Sequence, residues 1–187
     1  MKTVELNVKT RETGYKTAKE LRAQGYVPIN YYATGQENQN LYAKTLDLRD
    51  IVYTSQKPIV LLHIDGSNDT LRCILKEITF DPITDAITHI DFLGLIDNHL
   101  LFTELPIILK GTPEGARLGG KMQQVLHKIK VRTTPELLVD SIEIDISNLE
   151  IGKSIQVKDI QREGWKFFLS PDTMICSLKY SRVQAGS

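Results

Sequence analysis

The sequence has 187 residues, of which 41% are hydrophobic and 25% are charged, and its 23 basic and 23 acidic residues cancel. This composition excludes a disordered tail, and the balanced charge argues against a protein that coats nucleic acid through its overall field. No stretch reaches the roughly eighteen consecutive apolar residues that a membrane helix needs, and the N-terminus lacks the apolar core of a signal peptide. The chain is therefore predicted to be cytoplasmic.

Alternation of apolar and polar residues dominates the chain and predicts a mainly β protein with a few short helices. Strands are expected at residues 4–8, 59–64, 71–78, 142–146 and 155–157. A short helix is expected around residues 48–56, before the second of these strands. The turn-forming residues 65–69 predict that residues 59–80 form a hairpin. A polar turn at residues 94–100 predicts a division at about residue 95, giving domains 1–95 and 96–187.

One helix is predicted over residues 16–24, where strong helix formers follow one another and Gly25 can end the helix in a left-handed conformation. Helical spacing places the cations Lys16, Lys19 and Arg22 on one stripe, away from the apolar side chains. With Tyr31 and Tyr32 following, the stripe can neutralise RNA phosphates while the tyrosines contact bases. The alternative is an ordinary helix face exposed to solvent.

His89 and Asp91 are two residues apart on a predicted strand, so both side chains leave the same face. This donor and acceptor can recognise base edges and ribose hydroxyls, and the alternative is a structural hydrogen bond at a strand edge. Because the sequence offers no nucleophile or third ligand beside them, we predict no catalysis, no metal and no cofactor. The distant Cys73 and Cys176 lack metal or redox spacing and are predicted to be reduced and buried.

The second half contains a glycine-rich segment, residues 115–121, that matches most of a phosphate-binding P-loop. Met122 stands where the P-loop requires Ser or Thr, so the segment is interpreted as a basic β loop. Lys128, Lys130 and Arg132 alternate after it and are expected to line one strand face, where they could meet RNA or protein.

Three aromatic residues near the C-terminus, Trp165, Phe167 and Phe168, flank Lys166. They allow a stacking platform for bases, but a core strand is the favoured interpretation.

Over nearly its whole length the chain resembles the bacterial large-subunit ribosomal protein family numbered twenty-five, in its two-domain general-stress-protein (Ctc) form. In the first half the resemblance rests on Arg11, Gly14, Ala18, Leu21, Arg22, Gly25, Val27, Pro28, Tyr32 and the run His89-Ile90-Asp91-Phe92. In the second half it rests on Gly119, Gly120, residues 142–149, Ile151, Gly152 and the run Val157-Lys158-Asp159.

This resemblance implies a small N-terminal β-barrel that binds 5S ribosomal RNA and a separate C-terminal β domain. The implied RNA-binding residues are Arg11, Lys16, Lys19, Arg22, Tyr32, His89 and Asp91. The implied partners are 5S rRNA and the RNA and proteins of the large subunit, with a monomer docked on the cytoplasmic ribosome. Tyr15, Glu20 and Ala33 depart from the family pattern. With the neutral charge they leave one alternative, a stress-linked protein-interaction module that has lost tight RNA binding.

Overall fold

A computed structural model describes residues 2–12, 14–67, 70–117 and 119–180 of the chain. The backbone divides into two compact units, Met1–Leu101 and Phe102–Ser187. Each unit is mainly β with short helices, which confirms the predicted fold class. Within the described residues, no helix has the length and apolar character needed to cross a membrane.

The first unit is a closed barrel of six strands, joined in the order β1-β3-β2-β6-β5-β4. Its elements are β1 (Thr3–Thr10), α1 (Tyr15–Ala23), β2 (Tyr26–Tyr32), β3 (Gln39–Lys44), α2 (Arg49–Val52), β4 (Ile59–Ile64), β5 (Thr70–Phe80) and β6 (Ile87–Gly94). The pairs β1–β4 and β2–β6 are parallel, and the other neighbours are antiparallel. Closure joins each described strand of this unit to a neighbour on both sides, which removes the open sheet edges that could pair with another chain.

The barrel core follows directly from the alternation in the sequence, because every second side chain of a strand points inward. Leu6, Val60 and Leu62 fill it from β1 and β4, and Ile90 and Phe92 fill it from β6, each of them buried. The predicted hairpin over residues 59–80 is confirmed, since β4 and β5 pair in antiparallel register. Asn68 and Asp69 of its expected turn lie outside the described residues.

Helix α1 ends where the sequence predicts. Gly25 has a φ of 80°, and its backbone N–H donates to the Arg22 carbonyl at 3.1 Å. The helix expected around residues 48–56 is much shorter, because α2 comprises only Arg49–Val52 after a 3-10 turn at Thr45–Leu48. Burial of Leu48 and Ile51 holds this single turn in place, whereas the residues beyond it have no apolar face to bury.

The second unit contains two sheets, of strand order β10-β7-β9-β12 and β11-β13-β8. The elements from residue 101 onward are β7 (Leu101–Lys110), α3 (Glu114–Arg117), β8 (Gly120–Gln124), β9 (Lys128–Thr133), β10 (Ile142–Asp145), β11 (Ser154–Gln156), β12 (Lys166–Phe167) and β13 (Met174–Tyr180). The two cysteines are buried free thiols, Cys73 in the first unit and Cys176 in the second, as predicted, and burial raises the pKa of both.

Two interpretations of the second half are corrected by the structure. The P-loop-like segment begins as the short helix α3 instead of a loop. Gly115 of this helix is buried, and its N–H donates to the Leu149 carbonyl at 3.2 Å. Leu118 in this segment lies outside the described residues. The expected core strand around Phe167 is the two-residue edge strand β12, and Phe168 after it is 54% exposed.

Candidate functional site

Polar side chains gather on the outside of the barrel where β2, β3 and β6 lie side by side. Ile29 and Ile90 point into the core, so their partners one residue on, Asn30 and Asp91, point outward and are adjacent in the parallel register. Helix α1 packs on β2. We define the polar barrel face by these described residues: Arg11, Arg22, Asn30, Tyr32, His89 and Asp91.

Arg11 follows the last residue of β1 and is held by hydrogen bonds across the neighbouring strands. Its Nε donates to the Leu41 carbonyl at 3.2 Å, and its Nη2 donates to Asn30 Oδ1 at 3.1 Å. Burial and the nearby Arg22 lower the Arg11 pKa, although a guanidinium stays charged at every physiological pH. Arg11 is therefore a fixed cation that keeps further N–H donors for a ligand.

Arg22 reaches the same face from the last turn of α1. Its Nε donates to the Thr88 carbonyl on β6 at 2.9 Å, which leaves both terminal nitrogens of the guanidinium outside that bond. Since Arg11 and Arg22 are close enough to affect the Arg11 pKa, the face carries two neighbouring positive groups. Such a pair suits an anion with several oxygens, a phosphate above all.

His89 and Asp91 leave β6 on the same side, as the sequence predicts, and both are half-buried. His89 Nδ1 lies 3.1 Å from Asp91 Oδ1, which is within ion-pair distance. Asp91 Oδ1 is shielded from solvent and receives no hydrogen bond within the described parts of the chain. The carboxylate therefore lies against the imidazole and can still accept a hydrogen bond from a ligand.

The charge state of His89 is set by its surroundings. Burial has the largest effect and lowers the pKa of His89. The nearby Asp91 raises this pKa, and the positive charges of Arg11 and Arg22 lower it further. The imidazole is thus predominantly neutral near pH 7 and can both donate and accept a hydrogen bond.

This pKa gives a prediction about stability. A folded-state pKa below the ordinary value means that the unfolded chain takes up the proton first as the pH falls, so protonation of His89 favours unfolding. We expect the free energy of unfolding to decrease more between about pH 7 and pH 5.5 in the wild-type chain than in His89→Asn. Urea unfolding at both pH values measures the difference, and an equal decrease in both chains would contradict it.

The two tyrosines predicted to follow the cationic stripe have different roles. Tyr32 is half-buried on the outside, and burial with nearby Asp91 and Glu77 raises its pKa. Tyr31 points into the barrel, is only 3% exposed, and its hydroxyl donates to Gln36 Oε1 at 3.3 Å. Tyr31 is therefore a core residue and is not available to a ligand.

Lys16 and Lys19 lie exposed on α1 with Arg22, while Ala18 and Leu21 are half-buried, so the predicted separation of two helix faces is confirmed. Among the described residues neither lysine forms an ion pair, and both extend the positive potential beyond the polar barrel face. Glu20 is exposed on the same helix, and the side chain of Tyr15 lies outside the described residues.

Ala33, the third departure from the family pattern, lies inside the barrel. It is buried, and its Cβ is 2.6 Å from the position that a Cβ on Gly94 would occupy. The Tyr31 hydroxyl crowds the same position. The methyl of Ala33 therefore fits because residue 94 is glycine, and the departure does not alter the polar barrel face.

Asn30 and Thr88 were missed by the sequence analysis. Asn30 fixes the guanidinium of Arg11, and the Thr88 carbonyl fixes that of Arg22. Strand alternation could have placed Asn30 on the outer face with Tyr32, but the Thr88 contact spans 66 residues and uses a backbone atom, so no side-chain pattern reports it. Over the described ranges, no group of three or more His, Cys, Asp or Glu could hold a metal ion.

Comparisons with known proteins agree with this two-unit architecture. Residues 6–92 match the Ribosomal L25p family, and residues 101–182 match the family described as ribosomal protein TL5, C-terminal domain. A large ribosomal subunit protein bL25 from Porphyromonas gingivalis is 34% identical over 188 residues, covering 100% of this chain and 97% of its own.

Two further relatives carry the same name, large ribosomal subunit protein bL25. The protein from Prosthecochloris aestuarii is 33% identical over 99% of this chain and 94% of its own, and that from Phocaeicola vulgatus is 32% identical over 100% and 97%. The chain therefore belongs to the bL25 family of large-subunit ribosomal proteins, which are not enzymes, in its two-domain form with an L25p domain followed by a TL5-like domain.

Proposed function

We propose that this chain binds 5S rRNA through the polar barrel face and helps to place that RNA in the large ribosomal subunit. One observation carries the proposal: two anchored guanidinium groups lie on the same outer face as the His89–Asp91 pair. Membership of the bL25 family supports an RNA partner on the ribosome.

The geometry suits a double-stranded RNA groove. The minor groove of A-form RNA is wide and shallow and displays ribose hydroxyls and base edges. Arg11 and Arg22 would bind phosphates on either side, and the neutral imidazole of His89 would exchange hydrogen bonds with hydroxyls or bases. A ribose 2′-OH or a base amino group could donate to Asp91, whose Oδ1 accepts no hydrogen bond within the described residues.

The remaining residues of the proposed RNA site would act at its border. Lys16 and Lys19 would add phosphate contacts from the exposed face of α1. Tyr32 would stack on a base or hydrogen-bond to the backbone through its hydroxyl. In this proposal the protein works as a monomer on the cytoplasmic ribosome and contacts subunit RNA and proteins besides 5S rRNA.

A gel-shift titration with purified 5S rRNA, repeated at several salt concentrations, tests the proposal. The wild-type chain should bind 5S rRNA more tightly than an unrelated structured RNA of equal length, and binding should weaken with salt. Arg22→Ala should weaken binding about tenfold and reduce the salt slope by about one, because one phosphate contact is lost. Arg72→Ala removes an exposed arginine from β5 and serves as the matched control.

Equal binding of both RNAs by the wild-type chain would refute the proposed RNA site. The balanced net charge of the chain would then favour the protein-interaction module as the function. If Arg22→Ala and Arg72→Ala weakened binding equally, RNA would be attracted by general charge and not held at the polar barrel face.

A further inference from the structure

The second unit carries a surface that the proposed 5S site does not use. On the exposed side of the sheet β10-β7-β9-β12, Phe102 and Phe168 form a ring pair with centroids 5.4 Å apart. They are 47% and 54% exposed, and the Arg132 guanidinium lies 5.2 Å from the centre of the Phe102 ring. Exposed apolar side chains that lie together and are rimmed by polar residues are a feature of surfaces that bind a partner.

Cations surround the ring pair because of the strand register. Lys128, Lys130 and Arg132 alternate along β9, so all three leave the exposed face, and Lys166 of β12 pairs directly with Arg132. The Phe168 N–H donates to the Lys130 carbonyl at 3.4 Å, so Phe168 lies beside the cations of β9. We call the residues Phe102, Lys128, Lys130, Arg132, Lys166 and Phe168 the aromatic sheet face.

The carboxylates on this side of the sheet are already engaged. Glu104 lies 3.5 Å from Lys130, and Glu143 pairs with Lys110 at the far edge of the sheet. Asp145 accepts hydrogen bonds from the backbone N–H and the hydroxyl of Ser147, which lowers its pKa. Glu104 thus offsets the charge of Lys130, whereas Lys128, Arg132 and Lys166 form no ion pair within the described parts of the chain and leave the aromatic sheet face positive.

We propose that the aromatic sheet face binds unpaired nucleotides of an RNA. A base would stack on the exposed ring of Phe168, and Arg132, Lys128 and Lys166 would contact the flanking phosphates. Aromatic rings on a sheet bordered by cations are the means by which proteins hold single-stranded RNA, since every base has a ring face and every nucleotide a negative charge. This site does not depend on the proposed 5S site in the first unit.

RNA fits the observations better than a protein partner does. If an apolar protein surface covered Phe102 and Phe168, the bordering lysines and arginine would lose water without gaining partners. Such desolvation of charged groups is costly. A phosphate backbone supplies those partners, and the separation between successive bases lets phosphates reach both sides of one stacked base. The charge of the face is therefore complementary to RNA.

The test uses the full chain and a fluorescein-labelled oligouridylate of about twelve nucleotides, whose bases are neither paired nor strongly stacked and whose length is comparable to such a site. Fluorescence anisotropy should show that Phe168→Ala weakens binding about tenfold relative to the wild-type chain. Tyr180→Ala is the matched control, because Tyr180 is another exposed aromatic residue of the second unit, and its affinity should stay within about twofold of wild type.

A second measurement locates the oligonucleotide. Amide resonances of β7, β9 and β12 should shift on its addition, in the wild-type chain and equally in Arg22→Ala. Shifts confined to the polar barrel face would overturn the proposal and leave the first unit as the RNA-binding unit. Equal affinities of Phe168→Ala and wild type would also overturn it.

Discussion

Replacement of Phe92 by alanine is expected to destabilise the barrel by about 3–5 kcal/mol, the range typical of a fully buried phenylalanine. Phe92 is 0% exposed and lies on β6 between Tyr31 of β2 and Leu75 of β5. Its removal would leave a cavity where three strands meet, and inward-facing neighbours fixed by strand register cannot collapse into it. A loss of this size is a large fraction of the roughly 5–15 kcal/mol by which a domain is stable.

Urea unfolding followed by far-UV circular dichroism measures this loss. Phe80→Ala is the matched control, since Phe80 ends β5 in the same unit but is 43% exposed, and its truncation should cost about 1 kcal/mol or less. Trp165 is the single tryptophan and lies in the second unit, so its fluorescence follows that unit separately. A cost for Phe92→Ala below about 1.5 kcal/mol would mean that the barrel core is loosely packed at this point.

The strands could be predicted from the sequence because their burial repeats every two residues. Val4, Leu6 and Val8 alternate with polar residues, and the structure buries the last two of them on β1. The same reasoning fails where burial is not periodic. Phe168 is apolar and was therefore assigned to the core, yet it follows a two-residue edge strand and is more exposed than buried.

All residues of the polar barrel face except Asn30 could be named from the sequence, but the contacts that position them could not. The spacing of His89 and Asp91 predicts that they share a strand face, and helical periodicity predicts that Arg22 shares a helix stripe with Lys16 and Lys19. The hydrogen bonds that orient the cations join residues 19 to 66 positions apart and end on backbone or amide oxygens. These hydrogen bonds depend on which strands become neighbours in the closed barrel. The order of the strands cannot be predicted from a local sequence pattern.

The two units make different use of the same physical elements. The first presents arginines whose guanidiniums are fixed by hydrogen bonds, which suits recognition of a regular helix with a defined phosphate geometry. The second presents lysines beside exposed rings, which suits flexible, unpaired nucleotides. If both proposals hold, a chain with balanced net charge binds RNA at two separate places through the local distribution of its charge.

Replacement of Arg11 by alanine is expected to weaken 5S rRNA binding about thirtyfold or more, a larger effect than at any other residue of the polar barrel face. The substitution removes a positive charge and also the hydrogen bonds to the Leu41 carbonyl and to Asn30 Oδ1. Because those acceptors are partly buried, the fold should lose about 1–2 kcal/mol as well. Arg49→Ala, which removes an exposed arginine from α2, should change neither quantity.

Arg11→Lys separates charge from geometry. A lysine restores the charge but has a single donor group, which cannot reach both acceptors and a phosphate with the fixed orientation of a guanidinium. We therefore expect Arg11→Lys to have the salt slope of the wild-type chain and an affinity for 5S rRNA about tenfold weaker. The same titration at several salt concentrations measures both quantities. Wild-type affinity in Arg11→Lys would show that RNA responds only to charge at this position, and the anchoring of Arg11 by Asn30 would then serve the barrel alone.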